Sequence, residues 1–439
     1  MDAEARALEG AAPDATRPGV ATGRRGKFAG LFSLQVAHDL PNALTATMAP
    51  TLFVKELGLP LAWVGVFFLP FIVTALKWSW APWVDNHGSD RFGRRRSWLW
   101  PLTFLVALCY FVNGGVEPGL DTLALIVTLL VIKQLFFATQ EIAADAYVVE
   151  NLAPDERGVG SAVVWMGKEV GQIVGFAVLL YIADRYGWQR AFITAGLLFI
   201  AFNLPVLLRR EEPLVRTSGA NPPAGIGAFF RERVNLHIAA LVFVVAFCVQ
   251  MPVAVIGPFL GDKGFTLSEI GVILGISASL GALISLAIAS VAIRRLGAKR
   301  MAMALLVIAP LASPEFLWLA AQERATLTAV VLIILVATLC TAPIRMVLYA
   351  ARIGWTSAHQ VGTDITAQQS CWFLGYAASG LVAGAIASAL GWVGFFVLNV
   401  IITFAAVVYF IRVHDPIEAA VSERNSRTTA PTADAAAGG

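Results

Sequence analysis

Apolar runs of roughly twenty residues recur along the whole chain, at 61–76, 98–116, 122–140, 191–208, 238–260, 270–293, 301–320, 327–344 and 392–411. Wound as an α-helix, a run of that length spans the hydrocarbon core of a bilayer. A soluble protein with a very apolar core would need regular polar surfaces, which these runs lack. Only 14% of the residues are charged and 58% are hydrophobic, whereas soluble domains carry roughly 25% charge. The sequence predicts an all-α, polytopic membrane protein.

A pass along the chain places twelve transmembrane helices near 28–53, 62–84, 97–116, 121–148, 158–182, 188–208, 236–260, 267–293, 301–320, 327–350, 363–388 and 391–412. Lysine and arginine in the short loops set orientation. With the N-terminus inside, the inner side holds eighteen of them, including Arg91, Arg94, Arg95 and Arg96, and the outer loops hold five. Both termini are therefore expected in the cytoplasm. Residues 1–27 and 413–439 read as cytoplasmic tails, the first without the apolar stretch of a secretory signal. Cys109, Cys248, Cys340 and Cys371 lie inside apolar segments without paired spacing, and the five histidines are scattered. The chain is expected to hold no disulfide framework, no metal and no cofactor.

The longest internal loop, 209–235, divides the helices into bundles at 28–208 and 236–412, and the two bundles repeat one another. GLPLAWVG at 58–65 matches GFTLSEIG at 264–271, an offset of 206. DRFGRRR at 90–96 matches RRLGAKR at 294–300, and GWQRAF at 187–192 matches GWVGFF at 391–396, both at an offset of 204. Three matches at nearly constant offset in corresponding loops predict two pseudo-repeated six-helix bundles around a central cavity.

Twelve helices, a duplicated half, D-R-x-G-R-R between helices 2 and 3 and P-D-E-R-G at 154–158 resemble the major facilitator superfamily. The likeness covers 28–412. Within that superfamily, ALKWSWAPWVD (75–85), GRRRSW (93–98) and ATQEIAADAYVVE (138–150) are similar to segments of the muropeptide permease group. That group includes importers of iron–siderophores of the rhizobactin and pyochelin type. The twelve-helix length and GTDIT at 362–366 are similar to that siderophore branch. Drug antiporters of the superfamily carry a Gly-Pro motif late in helix 5. This chain has Gly167, Gly171 and Gly175 there without proline, a spacing that lets two helices approach closely.

Ionisable groups at lipid depth are costly and face the bundle interior or water. His38 and Asp39 fall in helix 1, Lys77 in helix 2, Lys133 in helix 4, Lys168 and Glu169 in helix 5, and Arg345 and Asp364 in helices 10 and 11. Gln134, Glu141 and Asp145 share one stripe of helix 4. Trp165, Lys168 or Glu169, and Gln172 share one of helix 5. The functional reading is a substrate cavity walled by His38, Lys77, Lys133, Gln134, Glu141, Trp165, Lys168, Gln172, Arg345 and Trp372. Asp39, Glu169 and Asp364 are the candidate proton carriers, because a carboxyl group in a partly dry cavity can load on one side and unload on the other. The plainer readings are a structural ion pair of Lys77 with Asp39, and gate or loop-anchoring roles for Glu141 and Asp145. Asp85, Asp90, Arg91, Arg94, Arg95, Asp145 and Arg157 would form a conformational latch without touching substrate.

The leading expectation is a proton-coupled secondary importer of an iron–siderophore or similar chelate in a bacterial inner membrane, working as a monomer. The alternative is a muropeptide permease, with a drug antiporter or a membrane acyltransferase further off. No G-x-x-x-x-G-K-[ST] occurs, which argues against ATP hydrolysis. An acyltransferase would need a histidine facing an acid, and the adjacent His38 and Asp39 point about 100° apart on a helix. The partners implied are a small-molecule substrate, protons and lipid, with no nucleic acid.

Overall fold

The computed structural model describes residues 20–89, 92–152, 156–209, 226–296, 314–323, 325–356 and 361–429. Among them no strand forms, and a lone bridge joins Ser89 to Gly93. We number the helices along the chain: α1 (20–55), α2 (61–86), α3 (Arg96–Gly115), α4 (Leu123–Glu150), α5 (157–186) and α6 (188–208) precede the central loop. After it come α7 (Arg233–Asp262), α8 (267–296), α9 (Pro314–Ala321), α10 (Leu327–Gly354), α11 (361–390) and α12 (392–429). Eight stretches among the described residues are long and apolar enough to cross a membrane, and the last of these, Asp364–Arg424, bends at Gly391 into α11 and α12. The span expected at 301–320 lies outside the described residues until Pro314.

Several helices change pitch where sequence chemistry demands it. Leu61–Phe68 of α2 is wound tightly as a 3-10 helix and relaxes to α at Leu69, with Pro70 in the first turn, where its missing N–H costs nothing. A second tight turn, Lys77–Ser79, precedes Pro82. Wide π turns occupy Leu44–Met48 in α1, Val174–Leu179 in α5 and Val272–Ser277 in α8. Such turns are rare and concentrate at functional positions.

The internal repeat is written into the backbone. Gly58 and Gly264, at matching positions, have φ of 69° and 93°. Gly187 and Gly391 share φ, ψ of 85°, 175° and 66°, 173°. Only glycine adopts these angles without strain, so the repeat conserves the turns that redirect the chain from α5 to α6 and from α11 to α12.

Glycines also set how closely helices pack. A Cβ added at Gly167, Gly171 or Gly175 of α5 would lie 2.6, 2.5 or 2.8 Å from the carbonyl oxygen of Phe32, Val36 or Leu40 of α1. The four-residue spacing thus serves the α1–α5 contact. The same device joins the two halves. Gly65 of α2 lies against the Leu381 backbone of α11, where a Cβ would come 2.5 Å from the carbonyl oxygen. Gly271 of α8 abuts Phe176 of α5, and Gly257 of α7 abuts Thr47 and Thr51 of α1. Lys55 donates to the Phe265 carbonyl at 2.9 Å and Ser268 to Asp184 at 2.5 Å, completing closure at that end of the bundle.

Both ends of the chain differ from the sequence expectation. α1 is already helical at Val20, the first described residue, and α12 continues past Arg412 to Thr429, the last described one. The extension docks because Ile417 and Val421, one turn apart, are buried against Leu241, Leu348 and Trp355. Arg424, on the next turn, donates to the Trp355 carbonyl at 2.8 Å and to Asn235 at 3.0 Å. Two apolar residues in a polar run are a faint signal in sequence.

Replacing Gly171 by alanine forces the α1 backbone away from α5, and overpacking of this kind costs about 1–3 kcal/mol. Gly115, at the end of α3, has nothing within 4 Å of an added Cβ. Thermal unfolding in detergent should show Gly171→Ala melting clearly below the parent protein and Gly115→Ala unchanged.

Candidate functional site

A cavity of about 240 Å³ lies where the two halves face one another. α5 contributes Glu169, Gln172 and Phe176, and α1 contributes Thr47. The opposite wall carries Cys248 and Gln250 of α7, Leu274 of α8, Thr338 of α10, and Phe396, Asn399 and Thr403 of α12. Among the described lining residues Glu169 carries the only charge. The remaining polar groups are amides and hydroxyls, which both donate and accept hydrogen bonds, set among phenylalanine and aliphatic side chains. Such a surface suits a neutral, hydroxyl- and amide-bearing ligand with one cationic group for Glu169. The π turns in α1, α5 and α8 include or adjoin Thr47, Phe176 and Leu274, so irregular backbone shapes the wall.

A second cluster of charge sits within the N-terminal helices. Lys77, 4% exposed, donates to Glu141 at 2.8 Å, and its ammonium stands 5.8 Å from the ring centre of Phe373 on α11. The tight turn at Lys77–Ser79 brings it to this boundary between the halves. Asp39, the partner expected from sequence, instead occupies the face of α1 beside Gly171 of α5. His38 is buried and stacks edge-on against Phe137 of α4 at 5.5 Å. The charges of Glu141, Lys168 and Lys77 all act on it. Lys168 lies 5.7 Å over the Trp165 ring, and Trp165 itself is exposed. On the helix 5 stripe, then, Glu169 and Gln172 reach the cavity while Lys168 and Trp165 pair with each other.

Lys133 and Gln134 do not appear on the cavity wall. Lys133 is 1% exposed and donates to Gln134 at 2.8 Å and, at 3.4 Å, to Thr45 of α1. Gln134 in turn donates to Thr74 of α2 at 2.7 Å. Trp372 packs into an apolar cluster with Val249, Leu348 and Val407. Asp364 is fully buried on α11, near the end where Arg352 holds Gln368 and Gln369 at 3.1 Å. Arg345 lies on α10, with its side chain outside the described part of the structure.

Of the expected latch, Arg95 is the best-defined member. It clasps Glu150 at the end of α4, at 2.6 and 3.0 Å. Arg96 donates to the Leu207 carbonyl of α6 at 3.1 Å, and Lys27 pairs with Glu156. Arg94 serves through its backbone, accepting from Ser97 at 2.8 Å. Asp145 is exposed on α4. Asp90 and Arg91 lie outside the described residues, as do the side chains of Asp85 and Arg157. Glu150 and Glu156 went unread in sequence because an acid at a helix end resembles an ordinary solvated group. Gln250 and Asn399 went unread because neutral amides carry no charge signal, although an amide inside an apolar run is a usable one.

The described fold and its paired halves agree with comparison to known proteins. A family model described as Major Facilitator Superfamily matches residues 31–344. The chain belongs to that superfamily. As a member it has that superfamily's all-helical, multi-pass architecture, and it spans about half the length of the first of its curated relatives. Over 254 residues it is 29% identical to the anhydromuropeptide permease of Escherichia coli K12, a match spanning 55% of this chain and 50% of the relative's length. It is 23% identical to a Rickettsia conorii transporter called AmpG 4, covering 86% of this chain and 94% of that one. Among solved structures, the nucleoside transporter NupG superposes with a TM-score of 0.68 at 12% identity, over 88% of this chain and 98% of NupG. A bacterial homologue of the lysosomal transporter Spinster, inward-facing and unoccupied, gives 0.62 at 14% identity, over 90% and 99%. These structural likenesses speak to the major facilitator fold.

The Lys77–Glu141 pair offers a direct test of the charge cluster. Removing one partner of a buried pair strands the other charge and costs about 3 kcal/mol or more. Lys77→Met and Glu141→Leu should each lower thermal stability in detergent, and the double variant should be more stable than either single one.

Proposed function

We propose that the chain imports muropeptide-like sugar-peptides across a bacterial inner membrane, driven by protons, with both ends of the chain in the cytoplasm. The bundles 28–208 and 236–412, joined by 209–235, would rock about the cavity, and the segments 1–27 and 413–439 would lie on the inner side. The observation that carries the reading is the character of the cavity wall. Gln172, Gln250, Asn399 and three threonines supply the donors and acceptors that sugar hydroxyls and peptide amides require. Glu169 supplies one anion for an ammonium group of a peptide. The name of the Escherichia coli relative, an anhydromuropeptide permease, points the same way.

An iron–siderophore built of carboxylates and without an amine fits this wall less well, since it has no ammonium to offer Glu169 and no cation stands among the described lining residues. Lys133, a cation that such a ligand could use, is enclosed by protein. The siderophore reading therefore becomes the alternative arm of the test.

Purified protein in liposomes, acidic outside, should accumulate a radiolabelled anhydromuropeptide and not a labelled ferric siderophore. The reverse result would refute the proposal. Gln172→Ala and Glu169→Gln should each raise the half-saturating concentration about tenfold, as expected for losing one hydrogen bond to a polar or charged group.

A further inference from the structure

Lys77 and Arg95 have their charges held by carboxylates, Glu141 at 2.8 Å and Glu150 at 2.6 Å. Lys133 differs. Among the described residues no carboxylate lies in ion-pair range of its amine. It is buried in the middle of α4, 5.8 Å from the ring centre of Tyr110 on α3 and 5.7 Å from that of Phe137. Its polar neighbours are neutral: Gln134 on its own helix, Thr45 on α1, and Thr74 on α2 through Gln134. The titratable groups facing it are Cys109 and Tyr110 of α3, and α6 presents Phe199 against Phe137. No fixed partner therefore sets the charge of this amine.

Two further observations mark a route from it. The Phe137 ring centre lies 5.7 Å from the Lys133 amine and 5.5 Å from the His38 ring centre, and His38 Nε2 is buried without a hydrogen-bond partner, as is the Tyr110 hydroxyl. Buried polar atoms of this kind are normally satisfied, and ionisable groups at lipid depth recur in proton relays. On α4, Lys133, Phe137 and Glu141 follow at four-residue spacing and share one face, placing Glu141 about 12 Å further along the helix. Glu141 also acts on His38.

We propose that Lys133 is the site where the driving proton binds, and that His38 relays it to Glu141. When the Phe137 ring that both groups contact moves aside, the ammonium of Lys133 gives a proton to the imidazole of His38, leaving a neutral amine and an imidazolium. The imidazolium passes it to the Glu141 carboxylate, which releases it on the inner side, and Lys133 reloads from the outer side. One proton crosses per cycle and no other reactant is consumed. While Glu141 is neutral its hold on Lys77 lapses, and Lys77 also faces Phe373 across the boundary between the halves. Proton transfer is thereby tied to the rocking of the bundles.

The inference rests on the import reading above, and the experiment separates the two. In liposomes at equal pH, exchange of labelled for unlabelled anhydromuropeptide tests the substrate alone. Under a pH gradient, accumulation tests the proton path. Lys133→Gln should keep exchange and lose gradient-driven accumulation by about tenfold or more. Accumulation at the parental level in Lys133→Gln would overturn the proposal. Should that variant fail to fold, lysine 13Cε resonances of the parent protein decide instead, with Lys133 assigned through Lys133→Arg. A Lys133 signal that moves across the pH range driving uptake supports the site, and one that stays fixed across that range overturns it. If the parent protein exchanges no muropeptide, the substrate reading fails and the resonance titration still judges Lys133.

Discussion

A side-chain carbon at Gly65 would press into the backbone of Leu381, one at Gly271 into the backbone of Phe176, and one at Gly257 into the side chains of Thr47 and Thr51. These contacts bring the two halves close together at one end of the helix array. In an apolar solvent there is little hydrophobic drive between helices, and close packing of small residues supplies the attraction instead. Dispersion contacts of this sort are individually weak and fall away steeply with distance. For this end to open, the hydrogen bonds from Lys55 to Phe265 and from Ser268 to Asp184 must break as well.

Charge is distributed to match. Among the described residues, the pairs Lys77–Glu141, Arg95–Glu150 and Lys27–Glu156 tie the N-terminal helices together, and Arg424–Glu232 ties the end of α12 to the start of α7. The described wall contributed by the C-terminal helices is amide, hydroxyl and aromatic. At the cavity, the single acid Glu169 of α5 thus faces a wall whose polar groups are uncharged. Lys77 stands at the boundary, bound to one side through Glu141 and resting against Phe373 of the other.

Much of the fold was legible because its signals are local. Apolar runs mark the helices, and Gly58, Gly187, Gly264 and Gly391 mark turns that any L-residue with a side chain would strain. The Gly167, Gly171 and Gly175 spacing announced a close helix contact and named its own face, while the partner, α1, is a tertiary fact. The site was less legible for the same reason. A lone cation at lipid depth, Lys133, reads as a ligand group until the rings of Tyr110 and Phe137 are seen around it. Glu141 reads as a gate residue until Lys77 arrives from another helix. Gln250 and Asn399 are silent in a charge-based reading, yet they supply the polar chemistry of the far wall. The docked end of α12 depends on Ile417, Val421 and Arg424 finding Trp355 and Asn235, residues distant in the chain.

The central claim is that the glycine-packed end opens while the substrate site changes sides. Glu56 and Glu323 are exposed on loops at that end, one in each half. Spin labels on cysteines placed there, in protein whose four native cysteines are replaced, would report the distance between the halves by pulsed electron resonance. The account predicts two distances whose proportions shift when substrate or a change of pH is applied. A single unchanging distance in protein that still transports would contradict it.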